Sequence, residues 1–403
     1  MFLFIRVIIL GVTQMQLLQS KLFLLLLFSQ LIGSQVYSQV PWSKIDKPYI
    51  PLLVKSFENG KIDSSLGILL SKYPNENIII GLYLKSLVVK NIDTLVINKY
   101  ISKAKELKGT FSLDAIGFYY HNKKNYLAAR DYYYQSYLAN KDYVNYGVIL
   151  DLAFLEEDTG NLYEAKKYYE LAKNSFPNVY EVMIEIVQYY FNQKMFVEAL
   201  RLLDSFPSNK NDDYLFIRKG EAYEELGMFD KAKDMYQASL MENPKSSEAR
   251  FKILCLYIYR YKDLGKAELL LSNLKSDYPD LSVTKFGESI LLTETKRYHE
   301  SNIILKKLII TDPIVTYYGN IAINLILLKE YNESIKFITE GETKYGTEDH
   351  FIILKYIAMK GAKDIRLNEF VLETQHQFGD SIFDATKSMC QDLGINYDEI
   401  FSK

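Results

Sequence analysis

Few residues in this chain carry the side chains that catalysis or metal binding needs, and their spacing does not gather them. The two cysteines, Cys255 and Cys390, stand far apart and form neither a CxxC pair nor any metal-ligand spacing. Each reads as a small buried hydrophobe rather than as a nucleophile or a disulfide partner. The four histidines, His121, His299, His350 and His376, are scattered, and none sits in an HExxH helix. Carboxylates do cluster, at Glu156-Glu157-Asp158, Asp212-Asp213 and Glu224-Glu225. Paired acids serve general acid–base catalysis or calcium, but calcium needs a ligand loop turned by glycine, and none accompanies them. They read as solvated helix ends or loops, as do the lysine pairs Lys123-Lys124 and Lys166-Lys167. No glycine-rich phosphate loop, GxSxG elbow or kinase motif set is present. The sequence assigns no catalytic residue, no metal ligand and no cofactor.

Composition points the same way. With 48 basic and 50 acidic residues the net charge is −2, which leaves no electrostatic footprint for nucleic acid or anionic lipid. Only eight of the bases are Arg, so bidentate recognition of phosphate or carboxylate is not favoured. Tyr and Phe are abundant, at 34 and 22, against one Trp, nine Pro and 19 Gly. Long helices with aromatic packing fit that balance better than a β-sandwich.

The N-terminus carries two apolar runs, Phe2 to Val12 broken by Arg6, and Leu22 to Ile32 following Lys21. Read from Met15, the second has the charged start, apolar middle and polar tail of a secretory signal peptide spanning residues 1–38. Val36 and Ser38 then occupy the positions before a cut at Gln39. Its apolar core is too short to cross a bilayer, which needs about 20 residues. This predicts an exported chain, periplasmic or secreted, with no stable membrane insertion after cleavage. Retention as an uncleaved anchor is the alternative.

Beyond it, the apolar spacing is helical. Lys44–Phe57, Ser64–Lys72, Glu76–Val89 and Thr94–Leu107 read as helices, with turns at Asn59-Gly60 and Tyr73-Pro74. From Thr110 a period emerges. Seven units start at Thr110, Tyr146, Tyr180, Asp213, Glu248, Ser282 and Val315. Their twentieth position is always small: Ala129, Ala165, Ala199, Ala232, Ala267, Ser301 and Ser334. The eighth is mostly small, as in Gly117, Ala153, Gly220 and Cys255. Large residues stand three before and four after the twentieth, as Leu162 and Tyr169 flank Ala165. Antiparallel helices approach closely only where side chains are small, and larger neighbours on the same face fill the space around that contact. Pro177, Pro244, Pro279 and Pro313 end second helices, and Gly160 and Gly227 mark tight turns between the paired helices. The unit from Ser282 fits poorly, because Lys285 and Glu288 replace apolar residues in its first helix.

This pattern resembles the tetratricopeptide repeat, most clearly over Tyr146–Pro177 and Asp213–Pro244. The resemblance implies an all-α fold, a right-handed α-α superhelix of helix pairs. Its expected organisation is a degenerate helical region over 39–109, about seven units over 110–347, and C-terminal capping helices over 348–403. His350–Lys360, Arg366–Phe378 and Ser381–Leu393 supply those caps.

The resemblance also implies that first helices line a concave groove. Positions 2, 5, 9 and 12 of a unit share one helical face. The candidate groove residues are Phe118, Leu150, Phe154, Ile184, Gln188, Phe191, Tyr214, Ile217, Glu221, Lys252 and Tyr259. Such an apolar, aromatic face with a few acids suits a protein or peptide guest. The family's clamp for C-terminal carboxylates needs Lys and Asn on this face, where Asp114, Phe118, Leu150 and Phe154 stand instead. The expected function is a non-enzymatic scaffold or adaptor that binds a protein or peptide. A glycan- or small-ligand-binding module of the cell envelope is the second reading.

Overall fold

The computed structural model describes residues 62–139, 146–205, 213–379 and 383–401, and every described segment of regular structure is helical. The expected signal peptide and the helix expected over 44–57 lie outside the described residues. The chain divides between residues 208 and 209 into two compact bodies.

The N-terminal body contains α1 (Ile62–Lys72), α2 (Asn77–Val89), α3 (Thr94–Leu107), α4 (Thr110–Asn122) and α5 (Tyr126–Ala139). It continues with α6 (Tyr146–Asp158), α7 (Leu162–Ser175), α8 (Tyr180–Asn192) and α9 (Phe196–Ser205). In the C-terminal body come α10 (Asp213–Glu225), α11 (Phe229–Glu242), α12 (Ser247–Tyr259), α13 (Leu264–Asp277) and α14 (Ser282–Glu294). These are followed by α15 (Tyr298–Thr311), α16 (Val315–Leu327), α17 (Tyr331–Tyr345) and α18 (Asp349–Ala362). Then come α19 (Leu367–Phe378), α20 (Thr386–Asp392) and α21 (Tyr397–Phe401). The chain is all-α, and successive helices pack as antiparallel pairs within each body.

Three positions of the repeat explain why the chain folds this way. The seventeenth (Tyr126, Leu162, Phe196, Phe229, Leu264, Tyr298, Tyr331) opens the second helix in all seven units. Two residues earlier the backbone turns left-handed every time: Lys124, Gly160, Lys194, Gly227, Lys262, Lys296 and Lys329 all have φ between +53° and +77°. The twentieth residue is wholly buried in every unit. Where Ser replaces Ala there, the hydroxyl is satisfied locally. Ser301 donates to the Ser289 carbonyl at 2.9 Å and Ser334 to that of Ala322 at 3.0 Å, twelve residues back in both cases.

The first helix of the Ser282 unit forms despite its charges. Lys285 and Glu288 turn outward to Asp280 and Lys275, at 3.5 and 2.8 Å, while Thr284, Phe286, Gly287, Ser289 and Ile290 take the buried side. After the last repeat, α18 lays Phe351, Leu354 and Ile357 into the core shared with Tyr318 and Ile321. The ring of Phe351 leaves room for nothing larger than Gly341. Helix α20 is shorter than the pattern over 381–393 suggests, and α21 adds Ile400 to the same core.

Candidate partner-binding surface

In the N-terminal body, α4, α6 and α8 present Phe118, Phe154, Ile184, Gln188 and Phe191 as half-buried side chains. Phe154 sets its edge against Tyr169 of α7 at 6.1 Å, and Phe191 meets Phe196 of α9 at 5.5 Å. Each is held from behind by the second helix of its own pair and keeps its other side in solvent. Leu150 differs, being buried. Helix α6 packs against both α4 and α8, which encloses its fifth position. It is therefore a packing residue, and the sequence expectation for it is corrected.

Between these apolar side chains lies a network of charge. Lys85 of α2 places its ammonium 2.6 Å from Asp114 of α4 and 3.2 Å from Asp151 of α6. It also lies 5.4 Å from the centre of the Phe118 ring. Burial opposes the charge on Lys85, but the two carboxylates outweigh it and hold the ammonium above its usual value. Burial also drives Asp114 well above the ordinary carboxylate range; Lys85 opposes that rise and Asp151 reinforces it. Lys85 thus stands between two carboxylates, each within ion-pair distance of its ammonium. One helix further on, burial and the charges of Asp151 and Glu157 push Glu185 up to about 7.

The acids at the end of α6 are not the solvated run that their adjacency suggests. Arg130 of α5 donates to both carboxylate oxygens of the buried Glu156, at 2.7 and 2.8 Å. Glu157 accepts from the Tyr169 hydroxyl at 2.9 Å and from the Asn192 amide at 2.9 Å.

In the C-terminal body, Tyr214 is half-buried, but Ile217, Glu221, Lys252 and Tyr259 are buried. Glu221 is 4% exposed and Lys252 2%, with the Lys252 ammonium and the Arg218 guanidinium each 2.5 Å from a Glu221 oxygen. Burial disfavours charge on Glu221, yet Lys252 and Arg218 outweigh it and lower its pKa. This carboxylate is committed to two cations of its own chain and offers nothing to a guest. Tyr259 packs in the core with Cys255 and Ile258, and burial raises its phenol well above the usual value. These four expectations are also corrected: the residues fasten neighbouring helices. Cys255 shares that setting, and burial drives its thiol far up, away from reactivity.

The sequence reading does not place Asp151, Glu185 and Lys85 on this surface. A signal for them exists in the sequence, since α4, α6 and α8 contain acids and no Lys or Arg.

Residues 214–246, which cover α10 and α11, match the tetratricopeptide repeat family model. The chain carries a tetratricopeptide repeat there. Its fold is the α-α superhelix class of that family, and yeast Tom70 shares it. Tom70 superposes with a TM-score of 0.50 at 12% identity, over 89% of this chain and 90% of that one. A tetratricopeptide repeat protein from Parabacteroides merdae aligns over 73% of this chain and 96% of its own, at 17% identity and a TM-score of 0.34. The apo form of the quorum sensor NprR from B. thuringiensis aligns over 70% and 93%, at 16% identity and a TM-score of 0.45. No curated protein sequence matches the chain.

Proposed function

We propose that this tetratricopeptide repeat chain is an exported, non-enzymatic scaffold that holds a protein or peptide partner on its first helices. The repeat is the fold of protein-interaction scaffolds. The observation that carries the reading is the division of labour within each hairpin. Ala129, Ala165 and Ala199 are wholly buried where the helices meet. Phe118, Phe154 and Ile184 keep part of their apolar surface in solvent on the other side. Apolar surface exposed on one face of successive first helices is what a partner helix or extended peptide needs.

Export rests on the stretch from Lys21 to Gln39 in the sequence. Among the described residues no helix is long and apolar enough to cross a membrane. N-terminal sequencing of the protein from its native cells tests this part, with Gln39 as the expected first residue. A chain that starts at Met1 or Met15 overturns it.

Partner binding is tested by affinity purification of the full chain beside a Phe118→Ala/Phe154→Ala variant. The expected result is one stoichiometric protein recovered with the wild type and lost with the variant, whose helical circular dichroism is unchanged. Equal recovery with both chains removes the surface from consideration.

A further inference from the structure

The near-neutral total charge hides a segregation within the N-terminal body. Helices α4, α6 and α8 contain no Lys or Arg but seven carboxylates: one on α4, four on α6 and two on α8. The bases of the same three hairpins sit on the second helices, among them Arg130, Lys166, Lys167 and Arg201, and in the turns, as Lys123, Lys124 and Lys194 do. Some of the seven acids are answered internally. Glu156 turns back to Arg130, Asp158 meets His121 at 2.8 Å, and Asp114 and Asp151 divide a single ammonium from Lys85. Among the described residues Glu157, Glu181 and Glu185 make no ion pair.

Asp114 adds an independent observation. It is 5% exposed, and its Oδ1 has no hydrogen-bond partner. A buried acceptor left open is unfavourable unless a donor arrives. The donor is not a metal ion, because no group of three His, Cys, Asp or Glu among the described residues is placed to hold one. The carboxylates are instead spread over successive helices, a spacing that suits several cations carried along one chain. Phe118 and Phe154 stand between them on the same face.

We propose that the α4–α6–α8 face takes a peptide segment in which Lys or Arg side chains alternate with apolar ones. Its cations meet Asp151, Glu157 and Glu185, its apolar residues meet Phe118 and Phe154, and Asp114 Oδ1 is the acceptor still open beside Lys85. This inference rests on the partner-binding reading above and gives that partner its charge. Opposite potentials across the interface speed encounter and reject acidic competitors.

The test uses the full chain and three fluorescein-labelled peptides of equal length, built from Leu with Lys, Leu with Glu, and Leu with Ser. Fluorescence anisotropy is read at low and at physiological salt. The Lys peptide binds, binds more weakly at higher salt, and loses about tenfold in affinity to the Glu157→Gln/Glu185→Gln variant. The Glu peptide does not bind. Both substitutions keep the side-chain volume, and the amide oxygen that Glu157→Gln introduces still accepts from Tyr169 while only the exposed bond from the Asn192 amide is given up, so circular dichroism stays unchanged. A Glu peptide that binds as tightly, or a variant that keeps full affinity for the Lys peptide, overturns the proposal. If the Ser peptide binds as well as the Lys peptide and the Phe118→Ala/Phe154→Ala variant loses it, the charge inference falls and the partner surface stands. If no peptide binds, the charge inference falls, and the affinity purification decides the scaffold reading separately.

Discussion

The Tyr236 hydroxyl donates a 2.6 Å hydrogen bond to Glu224, and the ring that carries it lies directly over Gly220. Both contacts cross one hairpin, from the twenty-fourth position of the repeat to the twelfth and the eighth. The arrangement recurs in other units. Tyr133 lies over Gly117 with its hydroxyl 3.4 Å from His121, and Tyr169 donates to Glu157 at 2.9 Å. A buried phenol needs a partner for its hydroxyl and room for its ring, and the first helix supplies both.

Gly220→Ala is therefore destabilising, although Ala is favoured over Gly by about 1 kcal/mol in an open helix. The added methyl overlaps the Tyr236 ring, and overpacking of this kind costs about 1–3 kcal/mol. A lower urea midpoint for Gly220→Ala is the expected outcome. Adding Tyr236→Leu, the residue type found at Leu203 and Leu271, recovers part of the loss by vacating the space.

The hairpin turns give an opposite prediction. Lys194 holds φ at +59°, a conformation that disfavours a side chain by about 1 kcal/mol, whereas Gly227 holds +74° freely. Lys194→Gly should raise the urea midpoint and Gly227→Ala should lower it. Equal midpoints for these variants and the wild type contradict the turn assignment.

Much of the fold was legible in the sequence because small and large residues recur at fixed intervals. Ala165, with Leu162 before it and Tyr169 after it, specifies a helix contact without reference to anything outside the hairpin. The turns were half legible. Gly160 and Gly227 announce themselves, but Lys124, Lys262, Lys296 and Lys329 adopt the same conformation because the flanking helices impose it. The candidate surface was less legible, because a periodic face does not reveal how closely the next helix covers it. Leu150 and Ile217 share a register position with Ile184, yet the first two are buried and the third is half-exposed. Glu221 and Lys252 lie 31 residues apart in sequence, and only the packing of adjacent repeats makes them one ion pair.

That pair supports a third prediction. Lys252→Met leaves Glu221 with Arg218 alone and removes a cation that also faces Glu224. Breaking a buried pair in this way costs about 3–5 kcal/mol. Thermal unfolding of the C-terminal body should shift down accordingly, while the affinity of the Lys peptide for the N-terminal body stays unchanged. A change in peptide affinity without loss of stability would return Lys252 to the binding surface.

The carboxylates of the N-terminal body set a pH dependence of the opposite sign to common acid denaturation. Burial, then Asp151 and Glu157, raise Glu185 to about 7, so between the ordinary carboxylate range and about 7 the folded chain binds more protons than the unfolded one. Its contribution favours folding at the acid end of that window and fades as pH rises through it. Hydrogen exchange in α6 and α8, corrected for intrinsic rates, should show protection falling from about pH 5 to about pH 7.5. In Glu185→Gln the trend should flatten. Protection that rises equally in both chains contradicts the placement of Glu185 against Asp151.

The most direct measurement of the central claim, that first helices hold the partner, is site-specific photo-crosslinking. A benzophenone side chain replaces Gln188 on α8 in one chain and Tyr163, 70% exposed on the second helix α7, in another. With partner present, crosslinking from position 188 and none from position 163 is the predicted result. Crosslinking from 163 with none from 188 would contradict it and move the partner to the second helices.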